Sequence, residues 1–259
     1  MTDGTRGPRG GAMAALAVLP RRIRYRAVTF ASTRPPLYFG LRKLAGLLDS
    51  GCVGPETELV IEAFPRSANG TTVHGFLERQ PRPVAVAHHK HHAAQLLRAA
   101  AWGLPAVVLI RDPVDAAVSN LALMEEAYLR EGAWVYGVGL TFGDVLHGYM
   151  TFYRAVEPVL DHLVIAPFEE VTRDLGGTIE RVNAAFGTAF ATDLPAKEER
   201  KTLNWHATPN ALRERIKKNL SEGFERRAAT SDRLRALKAE AEALHQRYLE
   251  AARARAGRA

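Results

Sequence analysis

Cysteine is almost missing from this sequence: Cys52 is the only one in 259 residues, which excludes a disulfide framework and any thiolate-based metal site. That scarcity fits a reducing, cytoplasmic compartment. No run approaches the roughly 20 apolar residues that a membrane-spanning helix requires. The short apolar stretch at residues 12–19 is followed, not preceded, by most of its positive charge, at Arg21, Arg22, Arg24 and Arg26. This is the reverse of a secretory signal, and it suits either a peripheral contact with a membrane or an unordered start. Aromatic residues make up 8% of the chain and are not interleaved with the basic ones, so nothing favours nucleic acid as a partner. The G-x-x-x-x-G-K-[ST] loop of nucleotide triphosphatases is absent, which argues against ordinary ATP or GTP hydrolysis. Carboxylates are in deficit as well. The formal net charge of +7 implies an anionic partner, whether a nucleic acid, an acidic membrane face or a polyphosphate-like ligand.

With 47% hydrophobic and 24% charged residues, the chain is long enough for one large buried core with extensions. Buried strands are expected at residues 58–64 (ELVIEAF), 83–88, 106–110 (AVVLI) and 163–168. Between them lie helical patterns. Val73, Phe76 and Leu77 mark a helix over 71–79 with a threonine at its start, and Ala93, Leu96, Leu97 and Ala100 mark one that ends before Gly103. Asp112-Pro113 reads as an N-cap with proline at the first helical position, opening 114–124. Thr141 and Asp144 form a capping-box pattern ahead of a stripe from Phe142 to Val156, and Ile179, Val182 and Phe186 share a face after Asp174. Strands alternating with helices predict an α/β fold, a parallel sheet flanked by helices on both faces. After Ser231-Asp232, Leu234, Leu237, Ala241, Leu244 and Tyr248 predict a C-terminal amphipathic helix that docks on its own domain rather than forming a coiled-coil dimer. The expected organisation is a basic N-terminal extension with amphipathic segments (1–56), a core domain (57–220) and a C-terminal helical extension (221–259). Nothing in the sequence reads out an oligomeric state.

Residues 65–72, PRSANGTT, join the first strand to the first helix. Such a junction aims backbone N–H groups and the positive end of the helix dipole at one point, which is an anion site. Ser67, Ala68 and Gly70 are small enough for the backbone to close around the anion. Arg66, Asn69, Thr71 and Thr72 add side-chain donors. Arg111 leaves the C-terminal edge of a second buried strand, where open α/β sheets bind ligands, and offers a bidentate fork. The competing reading makes the loop a plain polar turn and Arg111-Asp112 a local ion pair.

FPRSANGTT resembles the donor loop of the bacterial-type sulfotransferases that use 3′-phosphoadenosine 5′-phosphosulfate (PAPS), with Ala68 where many members have glycine. LIRDPVDAAVSN (109–120) is similar to the motif with which that family grips the donor's 3′-phosphate, which implies this role for Arg111 and Ser119. Two such motifs in the right order imply a P-loop NTPase-like sulfotransferase fold and an enzyme that moves a sulfuryl group to an acceptor hydroxyl, with no metal required. Between them stands VAHHKHH (86–92), where the family carries a catalytic histidine. A neutral imidazole, with a pKa of about 6.5, suits removal of the acceptor's proton. His89 is the first choice by spacing, His91 and His88 the next, with Lys90 available to stabilise charge. Arg66 would stabilise the transferring group and the departing phosphate. His89-Lys90-His91 also has the H-x-H form of some metal sites, but no aspartate follows to complete one. VIAPFEEVTRDLGGTIERVNAAFG is similar to a late strand, acidic pair and helix of the family, with Glu169 and Glu170 structural. TPNALRERIKKN (208–219) is similar to its C-terminal donor-binding segment, which implies a role for Arg213 and Lys217, although the Arg-Lys-Gly signature is missing and a solvated basic helix is the plain alternative. Trp134 and Tyr136 are candidate acceptor-pocket residues. The acceptor is expected to be a sugar, a lipid headgroup or a secondary metabolite. The rival readings are a nucleoside or small-molecule kinase with a divergent phosphate loop, and a non-catalytic basic protein that binds nucleic acid or a membrane.

Overall fold

The computed structural model describes residues 21–131, 139–193 and 210–256. Two helices, α1 (Arg21–Ala31) and α2 (Pro35–Leu44), come first. An alternating series follows: β1 (Leu59–Ala63), α3 (Asn69–Glu78), β2 (Val86–His88), α4 (Ala93–Trp102), β3 (Ala106–Ile110) and α5 (Pro113–Glu131). Next come α6 (Phe142–Val156), a 3-10 turn (Glu157–His162), β4 (Val164–Pro167), α7 (Phe168–Arg173) and α8 (Leu175–Phe186). The long helices α9 (Ala211–Thr230) and α10 (Asp232–Ala256) end the described chain. The fold is α/β, as the alternation of strands and helices predicts. Among the described residues no helix is long and apolar enough to cross a membrane.

The four strands form one all-parallel sheet in the order β2-β1-β3-β4. Strand pleating sends alternate side chains to opposite faces. Leu59, Ile61, Val107, Leu109 and Val164 therefore pack with Val73, Phe76, Ile179 and Val182 of α3 and α8 on one side. Val60, Val108, Ile110 and Ile165 face α4, α6 and α10 on the other. Every strand is a near-continuous apolar run because both faces are covered. The larger core also takes in Tyr38 and Phe39 of α2, Cys52 and Val53, and Phe224, Leu244 and Tyr248 of the last two helices. Burying each of these large side chains is worth about 1.5–3 kcal/mol.

Helix boundaries follow local chemistry. Asp112 Oδ1 accepts the N–H groups of Val114 and Asp115, each at 2.9 Å, and Thr141 and Asp144 form a reciprocal capping box. Asp174 caps α8 through the N–H of Gly177 at 2.9 Å. Gly103 and Gly187 close α4 and α8 at φ 67° and 65°, a conformation glycine adopts without Cβ strain. From β1 the chain crosses to β2 on one side, and from β3 to β4 on the other. The junctions after β1 and β3 thus flank a topological switch point, where open α/β sheets bind ligands.

Helix α1 is tied to α6 by charge and by contact. Arg22 and Arg26 reach the capping Asp144 at 2.8 and 3.4 Å, and the Tyr25 ring lies against Gly148 so closely that a methyl there would enter the phenol. Gly148→Ala is expected to lower stability by about 1–3 kcal/mol through overpacking, despite a helix-propensity gain of about 1 kcal/mol. In a Tyr25→Ala background the same change should become neutral or stabilising. Urea titration of the four proteins checks this, and purely additive costs would contradict the contact.

Candidate functional site

The β1–α3 junction turns sharply. Arg66 and Ala68 both take the left-handed conformation at φ 70°, which costs a non-glycine residue about 1–2 kcal/mol each. Helix α3 consequently begins at Asn69, two residues before the threonine start expected from the sequence, and Gly70, Thr71 and Thr72 occupy its first turn. The N-cap is Ala68, which has no side-chain oxygen to satisfy the first N–H groups. Asn69 does not face outward: its Nδ2 donates to the Ile61 carbonyl at 3.1 Å and lies 3.5 Å from Glu62, stapling the helix to β1. Thr71 Oγ1 donates to the Ala68 carbonyl at 3.0 Å. The buried Oγ1 of Thr72 and Oδ1 of Asn69 find no hydrogen-bond partner among the described residues.

Arg111 and Ser119 meet this loop. Arg111 Nη1 donates to the Arg66 carbonyl at 3.1 Å, and Arg66 Nε donates to Ser119 Oγ at 3.1 Å. The Arg111 guanidinium lies over the Phe168 ring, 4.2 Å from its centroid, and 3.5 Å from Asp115, while its buried Nε is left without a partner. Three tyrosines hold the end of β3 in place. Tyr149 donates to the Arg111 carbonyl at 2.9 Å, Tyr153 to the Leu109 carbonyl at 2.8 Å, and Tyr248 of α10 to the Tyr153 carbonyl at 2.7 Å.

Arg213 is turned inward. Its guanidinium is buried against the Oε2 of Glu126, whose other oxygen accepts from Asn210 at 2.8 Å and Arg130 at 2.7 Å. Arg213 therefore anchors α9 on α5. Its charge is still felt at the loop: burial, then the Arg213 and Arg111 guanidinium groups, push the Arg66 pKa down to about 10, with Glu126 opposing them. Arg66 remains cationic at neutral pH. Between α5 and α9 a cleft of about 310 Å³ opens onto Arg111 and Ser119, with Lys217 and Lys218 on its far wall.

The histidine tract folds back over the loop from the other side. His89 and His91 both have left-handed backbones, φ 57° and 55°, held by the buried Glu62. That carboxyl group accepts the N–H of Lys90 at 2.7 Å and of His91 at 2.9 Å. Lys90 itself is drawn away to Asp49, at 2.7 Å. The Nδ1 atoms of His89 and His88 are 2.5 Å apart, so one donates to the other. His89 Nε2 sits over Gly70, 3.3 Å from where a Cβ would stand. His91 Nδ1 lies 2.9 Å from the Ala63 carbonyl and donates to it, which leaves its Nε2 as the basic nitrogen.

No known protein-family model matches this chain, and no curated protein does either. The site is read on its own geometry. Burial, reinforced by His88 and His91, pushes His89 down to about 3, and burial also brings His92 to about 3 and lowers His88 and His91. The imidazoles are therefore neutral at pH 7, and His89 is a weaker base in this structure than the value of about 6.5 expected from the sequence. Among the described residues no three His, Cys, Asp or Glu side chains are grouped to hold a metal ion. Glu170 pairs with Arg181 on α8. Trp134, Tyr136, Thr208 and Pro209 lie outside the described residues.

Reading the sequence did not single out Glu62, Glu126 or the tyrosine ladder. The signal for Glu62 was present as one charge inside the apolar run ELVIEAF. The tyrosines looked like ordinary core because their hydroxyl partners are backbone carbonyls distant in sequence.

Burial raises Glu62 to about 8 against its ordinary 4.5, the N–H donors opposing. A raised carboxyl favours the fold below pH 4.5, and that contribution is lost as pH climbs towards 8. Histidines held below 6.5 act oppositely, favouring the fold above 6.5 and losing that contribution as pH falls. With six such imidazoles, at His74, His88, His89, His91, His92 and His245, against one raised carboxyl, the urea midpoint should rise from about pH 4 to about 6.5 and then decline to about 8. Glu62→Gln should flatten the decline above about pH 6.5 and steepen the rise below it, because the Glu62 contribution is lost across the whole range from 4.5 to about 8. A decline that persists unchanged in the variant would place its source elsewhere.

Proposed function

We propose that this chain is a sulfotransferase of P-loop-like fold that moves the sulfuryl group of PAPS to an acceptor hydroxyl. The observation that carries the reading is the meeting of the β1–α3 loop, Arg111 and Ser119 at the switch point of a parallel sheet, with more cations gathered there than carboxylates. Such a place is suited to a ligand with several anionic groups. The unpartnered Thr72 Oγ1 and Arg111 Nε are buried polar atoms of the kind a ligand satisfies.

In this reading the 5′-phosphosulfate lies against Arg66 and residues 67–72, and the 3′-phosphate against Arg111 and Ser119. Lys217, on the wall of the cleft, is closer to that role than Arg213, which is committed to Glu126. The acceptor oxygen attacks sulfur, the bond from sulfur to the phosphate oxygen breaks, and adenosine 3′,5′-bisphosphate leaves with the electron pair. His89 Nε2, above the start of α3, takes the acceptor's proton. Its Nδ1–H donated to His88 would keep Nε2 unprotonated beforehand. Arg66 and the helix terminus balance the charge that develops on the leaving phosphate. The C-terminal helix is an amphipathic brace in this scheme, reaching the Leu109 end of β3 through Tyr248 and Tyr153. A cytoplasmic location fits the reduced Cys52 and the supply of a nucleotide donor.

Calorimetric titration with adenosine 3′,5′-bisphosphate should show binding, and Arg111→Ala or Arg111→Lys should weaken it at least about tenfold, since a bidentate guanidinium contact is lost. No binding by the wild-type protein, or heat stabilisation by Mg-ATP in its place, would favour a kinase and overturn the reading. With donor binding intact, His89→Ala should abolish transfer of radiolabelled sulfate. Activity lost only in His91→Ala would move the base to His91.

A further inference from the structure

We infer that helices α1 and α2 form a docking surface for an anionic lipid bilayer, beside the candidate site. Eleven large hydrophobic residues are exposed among the described residues, and eight of them fall between Ile23 and Leu48. They are arranged in stripes. Ile23, Ala27 and Phe30 recur at i, i+4 and i+7 on the outward side of α1, and Leu37, Leu41 and Leu44 repeat that spacing on α2. Leu47 and Leu48 continue the apolar surface beyond the helix, and Leu44 is 79% exposed. Monomeric surfaces rarely gather apolar side chains this way without a partner.

Charge identifies the partner. Residues 21–48 contain seven Arg and Lys and no Asp or Glu, a charge equal to the formal net charge of the whole chain. Arg22 and Arg26 bind Asp144 yet remain more than half exposed. Arg34 lies 3.6 Å from the Phe30 ring centroid, placing a cation on the apolar stripe, and Lys43 stands exposed beside Leu44. Leucines that enter an acyl layer, ringed by cations that meet phosphate headgroups, are the arrangement of interfacial helices. A second copy of the chain would bring like charge to like charge. A bare phosphodiester strand would leave the leucines in water.

The surface adjoins the histidine turn. Asp49, next after Leu48, holds Lys90 at 2.7 Å, and the Gly51 carbonyl accepts the N–H of His88 at 3.1 Å. A bilayer seated on α2 would lie beside the residues that face the loop. The inference rests on exposure and charge, and it stands whether or not the chain transfers sulfuryl groups.

Co-sedimentation of the full chain with phosphatidylcholine vesicles, with and without about one-quarter phosphatidylglycerol, tests it. Wild type should bind the anionic vesicles, lose that binding as salt rises, and bind neutral vesicles weakly. The triple variant Leu37→Ser, Leu41→Ser, Leu44→Ser should lose at least about tenfold in partitioning. Arg34→Gln with Lys43→Gln should lose about fivefold per cation removed. Both sets lie on the surface, and unchanged circular dichroism and thermal midpoints would confirm that they fold. Binding equal to wild type in the triple variant, or binding abolished by deleting residues 1–20 while the triple variant still binds, overturns the proposal. So does a wild-type dimer in sedimentation equilibrium that the triple variant turns into monomer without any vesicle binding.

Discussion

One buried carboxyl group organises the candidate site. Glu62 stands in the middle of the sheet, where apolar side chains would pack more cheaply, and its oxygens take the N–H groups of Lys90 and His91. Those two bonds hold the left-handed turn at His89 and His91 and bring the imidazoles over the start of α3. An acceptor that reaches two consecutive N–H groups compensates the turn for its backbone strain.

A second constraint is electrostatic. Gathering Arg66, Arg111 and Arg213 near one loop is unfavourable unless carboxylates or a ligand answer them. Glu126 answers one: it is buried with Arg213 and also accepts from Arg130 and Asn210, so its bonding capacity is filled within the protein. A buried pair of this kind fixes geometry more than it adds stability. The positive field remaining around Arg66 and Arg111 is what a phosphate-bearing ligand would neutralise.

The sheet and its caps were legible because they obey local rules. The runs at 58–64 and 106–110 alternate with helical stripes, and Asp112, Thr141 and Asp174 carry the oxygens that helix starts require. The start of α3 was not legible. Ala68 is an unusual residue for a left-handed N-cap, so the first threonine looked like the better boundary. Arg111, Ser119 and the 65–72 loop could be picked out as candidate residues, but their mutual contacts could not, because they depend on which strands become neighbours. Arg213 shows a different limit. On a basic helix it reads as a ligand donor, and only the long-range partner Glu126 reveals it as an anchor. The N-terminal segment was visible as basic with amphipathic stretches but not as two helices, and its attachment through Tyr25 and Gly148 requires a residue with no side chain, which leaves no mark in a hydrophobic pattern.

The hydroxyl ladder from Tyr248 through Tyr153 to the end of β3 has a consequence for the order of events during synthesis. The carbonyl of Leu109 is made early, whereas the helix that completes the ladder emerges about 140 residues later, close to ten seconds or more at ordinary elongation rates. Until then α4 and α6 alone cover the face of the sheet destined for α10, and the part of β4 that α10 meets is open. A ribosome stalled before residue 232 would present a sheet with all four strands made and part of one face still uncovered.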